Sequence, residues 1–138
     1  MSSLTDRLSQ IELFSELSVK EIKKIASFMT SMTVKKGRDL TVQGTPGREF
    51  MVIETGEASV RRNGRPIATL SPGDFFGELA VIAGVPRTAT VTAETDMNVE
   101  VLNRREFSSM LDESPRLAKK ILVGAVKRLH EIEEGVVR

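Results

Sequence analysis

Residues 73–93 read GDFFGELAVIAGVPRTATVTA, an apolar run into which glycines, a glutamate and one arginine are set. Gly77 lets the backbone come close to a bound group. The following Glu78-Leu79-Ala80-Val81-Ile82-Ala83 is long enough for a helical turn or two before Gly84 stops it. The first N–H groups of such a helix have no intrahelical acceptor and carry the positive end of the dipole, so they suit a phosphate. Pro86 fixes the chain ahead of Arg87, whose planar fork of donors matches two phosphate oxygens at once. Thr88-Ala89-Thr90-Val91 then alternates as a strand does. One anion can meet both the helix start and the arginine. Glu78 cannot join them as a phosphate ligand because like charges repel, which leaves it to accept hydrogen bonds from hydroxyls of the same ligand. Phosphate plus hydroxyl suggests a nucleotide. The competing reading is an Arg87–Glu78 ion pair that holds a turn, although burying such a pair gains little net stability over apolar packing.

FGELAVIAGVPRTATV, residues 76–91, resembles the phosphate-binding cassette of cyclic nucleotide-binding domains, as in protein kinase A regulatory subunits, bacterial cAMP receptor proteins and cyclic nucleotide-gated channels. The spacing between FGELA and PRTA is similar to the kinase-regulatory version, without a gap. The resemblance covers roughly Phe14 to Leu129. It implies that Glu78 binds a ribose 2′-hydroxyl, that Arg87 and the N–H groups of Ala80 and Ala89 bind the cyclic phosphate, and that Gly77, Leu79 and Thr88 belong to the ligand-binding set. It also implies that the last helix supplies a lid over the base, with Leu129 and Ile132 as cap candidates. Family members with threonine directly after the arginine often tolerate guanine, and Thr88 holds that position, where β-propensity is the plainer explanation. The implied ligand is therefore cAMP, with cGMP also bound. The polar pair that contacts adenine in the cAMP receptor proteins is missing if Ile132 and Glu133 align there. A domain that keeps this fold without its ligand is the alternative.

A chain of 138 residues with 40% hydrophobic content suffices for one core, so one domain spanning residues 1–138 is expected. Twenty Lys and Arg against nineteen Asp and Glu leave a formal charge of +1, too balanced for a nucleic-acid binder by field alone. The absence of cysteine excludes disulfides and thiolate metal sites. With no signal-type run at the N-terminus and no 18-residue apolar segment, a cytoplasmic location without membrane contact is expected. The solitary His130 leaves little for a metal or for acid–base chemistry. An enzyme that hydrolyses a phosphodiester needs an activated water, usually on a metal held by His and carboxylates, so catalysis is not expected.

Taken in order, Leu4, Leu8 and Ile11 recur at helical spacing. Ser18-Val19-Lys20-Glu21 reads as a capping box with Leu17 and Ile22 as its staple, and the spacing of Ile22, Ile25, Ala26 and Met29 predicts a helix to about Met29. From Ser31 the period becomes two, with strands predicted near 32–36, 39–43, 49–55, 57–62, 65–70, 88–94 and 97–102, the pattern of a sandwich or jelly roll. Asn63-Gly64 signals a two-residue hairpin, and Pro66 belongs on an edge strand. Gly44, Gly56 and Gly73 sit where the resembled family has glycines, and ordinary turn chemistry accounts for the first two. Asn103-Arg104-Arg105-Glu106 starts a short helix, and Ser114-Pro115 starts another that runs to about Glu134. Leu122, Ala125, Leu129, Ile132 and Val136 form a short coiled-coil-like seam that either covers the domain's own barrel or pairs with a second copy. The fold expected from the resemblance is α+β: a β jelly-roll (double-stranded β-helix) barrel over 31–103, flanked by N-terminal helices in 4–29 and a C-terminal helical pair in 104–135.

Ligand binding that repositions the last helix would make this a regulatory sensor, and no output domain follows within the sequence. Its expected partners are a cyclic nucleotide, a second copy through that helix, and an effector protein or an effector domain outside the chain. An interaction domain with an empty pocket is the competing class.

Overall fold

The computed structural model describes the backbone of residues 3–137 and the side chains of residues 3–132. Helix α1 (Leu4–Ser9) starts in a capping box between Ser3 and Asp6, and a 3-10 turn follows at Glu12–Phe14. Helix α2 (Val19–Ala26) starts in the predicted box, where Ser18 Oγ accepts from the Glu21 N–H and Glu21 accepts from the Ser18 N–H. It ends short of Met29 because Phe28 and Met29 bond back only three residues, to Ile25 and Ala26, before the first strand takes over.

The strands are β1 (Thr30–Val34), β2 (Asp39–Thr41), β3 (Glu49–Thr55), β4 (Ala58–Arg62), β5 (Arg65–Leu70), β6 (Phe75–Phe76), β7 (Thr90–Ala93) and β8 (Met97–Asn103). They form two four-stranded antiparallel sheets, β1-β8-β3-β6 and β2-β7-β4-β5, closed face to face as a jelly roll. Asn63 and Gly64 both take left-handed φ, +54° and +78°, as the predicted hairpin requires. Pro66 lies on β5, which is an edge strand opposite a register shift in β4. Strand β6 carries only two residues and has no period of its own in the sequence; it exists because Phe75 and Phe76 pair with Val52 and Met51.

Strand β3 reads FMVI without polar alternation because both of its faces are covered. Met51 and Ile53 point between the sheets, while Phe50 and Val52 point outward into a second apolar cluster under the helices. Phe107 of helix α4 (Arg104–Glu113) stacks on Phe50 there, with ring centroids 4.8 Å apart. Leu117 and Ile121 of helix α5 (Pro115–Val137) complete that layer. Helix α4 starts in the predicted box, with Asn103 and Glu106 exchanging hydrogen bonds of 2.9 and 2.8 Å. The predicted seam on α5 divides: Ala125 is 5% exposed and faces the domain itself, whereas Leu122 is 58% and Leu129 48% exposed. Val136 of that seam lies outside the described side chains. Among the described residues, no helix is long and apolar enough to cross a membrane.

Candidate functional site

Helix α3 (Glu78–Ala83) sits between β6 and β7 and opens at Gly77, whose φ of +94° is left-handed. A Cβ at Gly77 would stand 2.5 Å from the Glu49 carbonyl oxygen and 2.8 Å from Arg87 Nη1. On the other side of the same guanidinium, a Cβ at Gly47 would strike Nε, lie 2.6 Å from Cδ and meet the Ala80 Cβ at 2.7 Å. Two glycines therefore make the slot that Arg87 fills. Its backbone is strapped to the 42–47 loop, with the Arg87 N–H donating to the Thr45 carbonyl and the Gly44 N–H donating to the Arg87 carbonyl, both at 2.8 Å.

Arg87 is only 8% exposed, and its Nη1 has no hydrogen-bond partner among the described residues. Burial pulls its pKa below the ordinary arginine value, while the carboxylates of Glu49 and Glu78 oppose that shift from a distance. Leaving a buried donor of a charged group unsatisfied costs roughly 1–3 kcal/mol or more, so the arrangement calls for an acceptor. Nearby, the N–H groups of Leu79 and Ala80 and that of Ala89 also bond to no group among the described residues, whereas the Val81 N–H already returns to the Gly77 carbonyl at 3.2 Å. Arg87 Nη1 lies beside Gly77 at the start of α3, and Leu79, Ala80 and Ala89 line one cavity, an arrangement that suits an anion.

Glu78 is buried, at 1% exposure, and does not pair with Arg87. Its carboxylate is held by Arg128 of α5, with Nη1 2.8 Å from Oε1 and 2.6 Å from Oε2. Arg128 Nη2 donates to the Phe75 carbonyl, and its guanidinium lies over the Phe75 ring at 5.2 Å. One turn earlier, Gly124 lets the helix approach, since a Cβ there would stand 3.0 Å from Phe75 Cζ. Arg128 follows Leu117, Ile121 and Ala125 at helical spacing. Its place on the inward face was therefore legible, although nothing in the sequence said which acid it meets.

A cavity opens between α3, α5 and the inner mouth of the second sheet. Gly77, Glu78, Leu79, Ala80, Thr88 and Ala89 of the predicted set line it. Arg87 stands behind that wall in its glycine slot. Leu129 and Ile132 do not line the cavity; from α5 it is Arg128 and Glu131 that do. From β4, Arg62 enters the lining and donates from Nε to the Thr88 carbonyl at 3.0 Å. Arg62, Arg128, Glu131 and the slot-forming Gly47 escaped the sequence reading, because each acts through a contact distant in sequence. Among the described residues, no group of three or more His, Asp or Glu could hold a metal ion.

The β6–β7 crossover of this jelly roll thus carries a short helix, a buried arginine whose Nη1 has no partner among the described residues, and a buried glutamate. The description of the cyclic nucleotide-binding domain matches residues 31–114. The chain is 38% identical over 106 residues to the cAMP-dependent protein kinase regulatory subunit of Yarrowia lipolytica, an alignment covering 75% of this chain and 28% of that protein. It thus spans a little over a quarter of that relative. Among solved structures, cAMP-bound PfPKA-R superposes with a TM-score of 0.85 at 27% identity, covering 96% of this chain and 46% of that one. The catabolite activator protein of Thermus thermophilus gives 0.80 at 24% identity over 90% of this chain and 61% of that one, a likeness of fold. The chain belongs to the cyclic nucleotide-binding domain family.

Proposed function

We propose that this chain is a regulatory module that binds one cyclic nucleotide, cAMP foremost and cGMP also, and relays the binding through α5. The observation that carries the reading is Arg87: a buried guanidinium whose Nη1 has no partner, beside the unpaired N–H groups of Ala80 and Ala89. A cyclic phosphate supplies the missing acceptors and a matching charge. Glu78 accepts from the ribose 2′-hydroxyl, Gly77 and Leu79 shape the start of α3, and Thr88 stands beside the base. The relay has a physical route, because the hydroxyl and Arg128 compete for one carboxylate. A ligand that takes Glu78 loosens α5 from α3, and the population shifts by the difference in affinity for the two states. Leu129 and Ile132 would reach the base only after α5 moves. The module binds its nucleotide without turning it over.

The exposed stripe of Leu122, Val126 and Leu129 on α5 is taken as the contact with a second copy, and an effector protein or attached domain reads its position. A cytoplasmic location fits relatives that are kinase regulatory subunits. The competing reading, an interaction domain with no ligand, draws on the same Arg128 contact, since Glu78 is already satisfied by it. A melting-temperature panel of cAMP, cGMP and 5′-AMP separates the two. The sensor predicts a rise with the cyclic nucleotides that saturates at one ligand per chain; no shift with any of them would leave the interaction domain.

A further inference from the structure

The cavity has a polar wall that the phosphate and the ribose do not use. Arg62 closes β4 beside the Asn63-Gly64 turn, and its side chain is half-buried in the cavity lining with Ile67 and Ala68 of the neighbouring β5. Its Nε is committed to the Thr88 carbonyl at 3.0 Å, which fixes the plane of the guanidinium. No carboxylate is bonded to Arg62 among the described residues, so the two terminal amino groups keep their donors. Thr88 follows Arg87 directly, so this fork lies next to the phosphate cradle on the β4–β5 side, where a base attached to the ribose must pass. Glu131 of α5 also lines the cavity.

We propose, on the footing of the cyclic nucleotide reading above, that Arg62 is a base-reading residue that selects 6-oxopurines. Guanine and hypoxanthine offer two adjacent acceptors, O6 and N7, and a planar arginine fork meets both at once. Adenine offers N7 beside an N6 amino group, which presents hydrogens to a donor and leaves half of the fork unpaired. Glu131 reads a different edge, because a carboxylate accepts from the N1 and N2 hydrogens of guanine, from N1–H alone in hypoxanthine and from one N6 hydrogen in adenine. It does not reproduce the shared O6 and N7 signature that cGMP and cIMP present to Arg62. The Thr88 hydroxyl, where it accepts from the base, separates guanine from hypoxanthine through the 2-amino group and does not read O6 and N7 together. Arg62 therefore raises the affinity for cGMP and cIMP together, and narrows the preference for cAMP that the family relationship suggests.

cIMP isolates the inference, since it carries O6 and N7 without the 2-amino group that Thr88 could bind. Calorimetric titrations of cAMP, cGMP and cIMP are compared for the parent, Arg62→Met and Arg62→Lys. Met keeps the apolar stem and removes every donor, and Lys keeps the charge without the fork. Arg62→Met should weaken cGMP and cIMP by roughly five- to a hundredfold, the discrimination of one bidentate pair, and cAMP by less than threefold; Arg62→Lys should recover only part of the loss. An equal fall for all three nucleotides, or full recovery with lysine, would assign Arg62 to the phosphate field or to the Thr88 strand and overturn the proposal. No change for any nucleotide would overturn it as well. Absence of binding by all three to the parent would instead remove the cyclic nucleotide reading, and this assignment with it. A melting curve of each variant without ligand separates a lost donor from a lost fold.

Discussion

Arg128 of α5 holds both carboxylate oxygens of Glu78 at the start of α3, 2.8 and 2.6 Å from one Nη1, and its other amino group donates to the Phe75 carbonyl. One guanidinium thereby ties the last helix to the strand and to the helix that frame the cavity. Whatever takes the lone pairs of Glu78 takes them from the clasp on α5.

Replacing Arg128 with Met leaves Glu78 buried without a cation. The Arg128 side chain is about a third exposed, so water relieves part of the loss. The expected cost is ~1–3 kcal/mol, below that of breaking a fully buried pair, or several degrees in melting temperature. Saturating cAMP returns donors to Glu78, so the deficit against the parent should shrink. Melting curves with and without cAMP check this, and an equal deficit in both conditions would contradict the competition between Arg128 and the ribose hydroxyl.

Gly47→Ala tests the slot. Its Cβ would crowd the Arg87 stem and Ala80, so the guanidinium must shift. Nucleotide affinity should fall at least tenfold, equivalent to about 1.4 kcal/mol. Gly64→Ala is the comparison, because its Cβ meets open space away from Arg87; its left-handed φ of +78° adds a backbone strain that Gly47→Ala does not carry, so a melting curve of each variant accompanies the titration. Titrations in which both variants bind like the parent would show that Arg87 does not need this position.

These variants mark where the sequence was readable. Ser18 with Glu21, Asn103 with Glu106, and Asn63 with Gly64 each act within a few residues, and the helix starts and the hairpin stand where they were expected. The seam on α5 was half readable. Its spacing was right, but only the packing of Ile121 and Ala125 against the domain shows which flank is free. Strand β6, the Gly47 slot and the Arg128 clasp depend on contacts between segments far apart in the chain; helical spacing puts Arg128 on the inward face, but no local period or spacing names Glu78 as its partner or announces the other two.

Glu100 gives a pH dependence of stability. It is fully buried on the helix-facing side of β8, where Ser31 Oγ donates to both oxygens at 2.8 Å, and Glu54 lies beside it with Arg7 Nε 2.8 Å from the Glu54 Oε1. Burial pushes its pKa up to about 7, opposed by the Ser31 hydrogen bond and reinforced by the Glu54 carboxylate. The folded value stands above the unfolded one, so the folded state binds the proton more tightly. The stability this gives is full below the unfolded carboxylate value and is lost as pH rises through about 7. The melting temperature should fall between pH 5 and pH 8, and Glu100→Gln, which keeps a partner for Ser31, should flatten that slope. An unchanged slope in the variant would assign the dependence elsewhere.

The free flank of α5 predicts self-association. Leu122, Val126 and Leu129 are each roughly half exposed or more and recur at spacings of four and three. Leu129→Lys places a charge at the C-terminal end of that stripe and should yield a monomer, read by light scattering. A parent that is monomeric at high concentration with and without nucleotide would leave the stripe to another partner.

The central claim is that Arg87 waits for a phosphate, and calorimetric titration of cAMP into the parent and Arg87→Ala tests it most directly. A charge-assisted hydrogen bond contributes about 1.5–3 kcal/mol, so losing the bidentate contact should weaken binding from tenfold to a few hundredfold. The parent should bind one nucleotide per chain, and Glu78→Gln should lose less than Arg87→Ala because its amide still accepts one hydroxyl. Equal affinity of Arg87→Ala and the parent for cAMP would contradict the account.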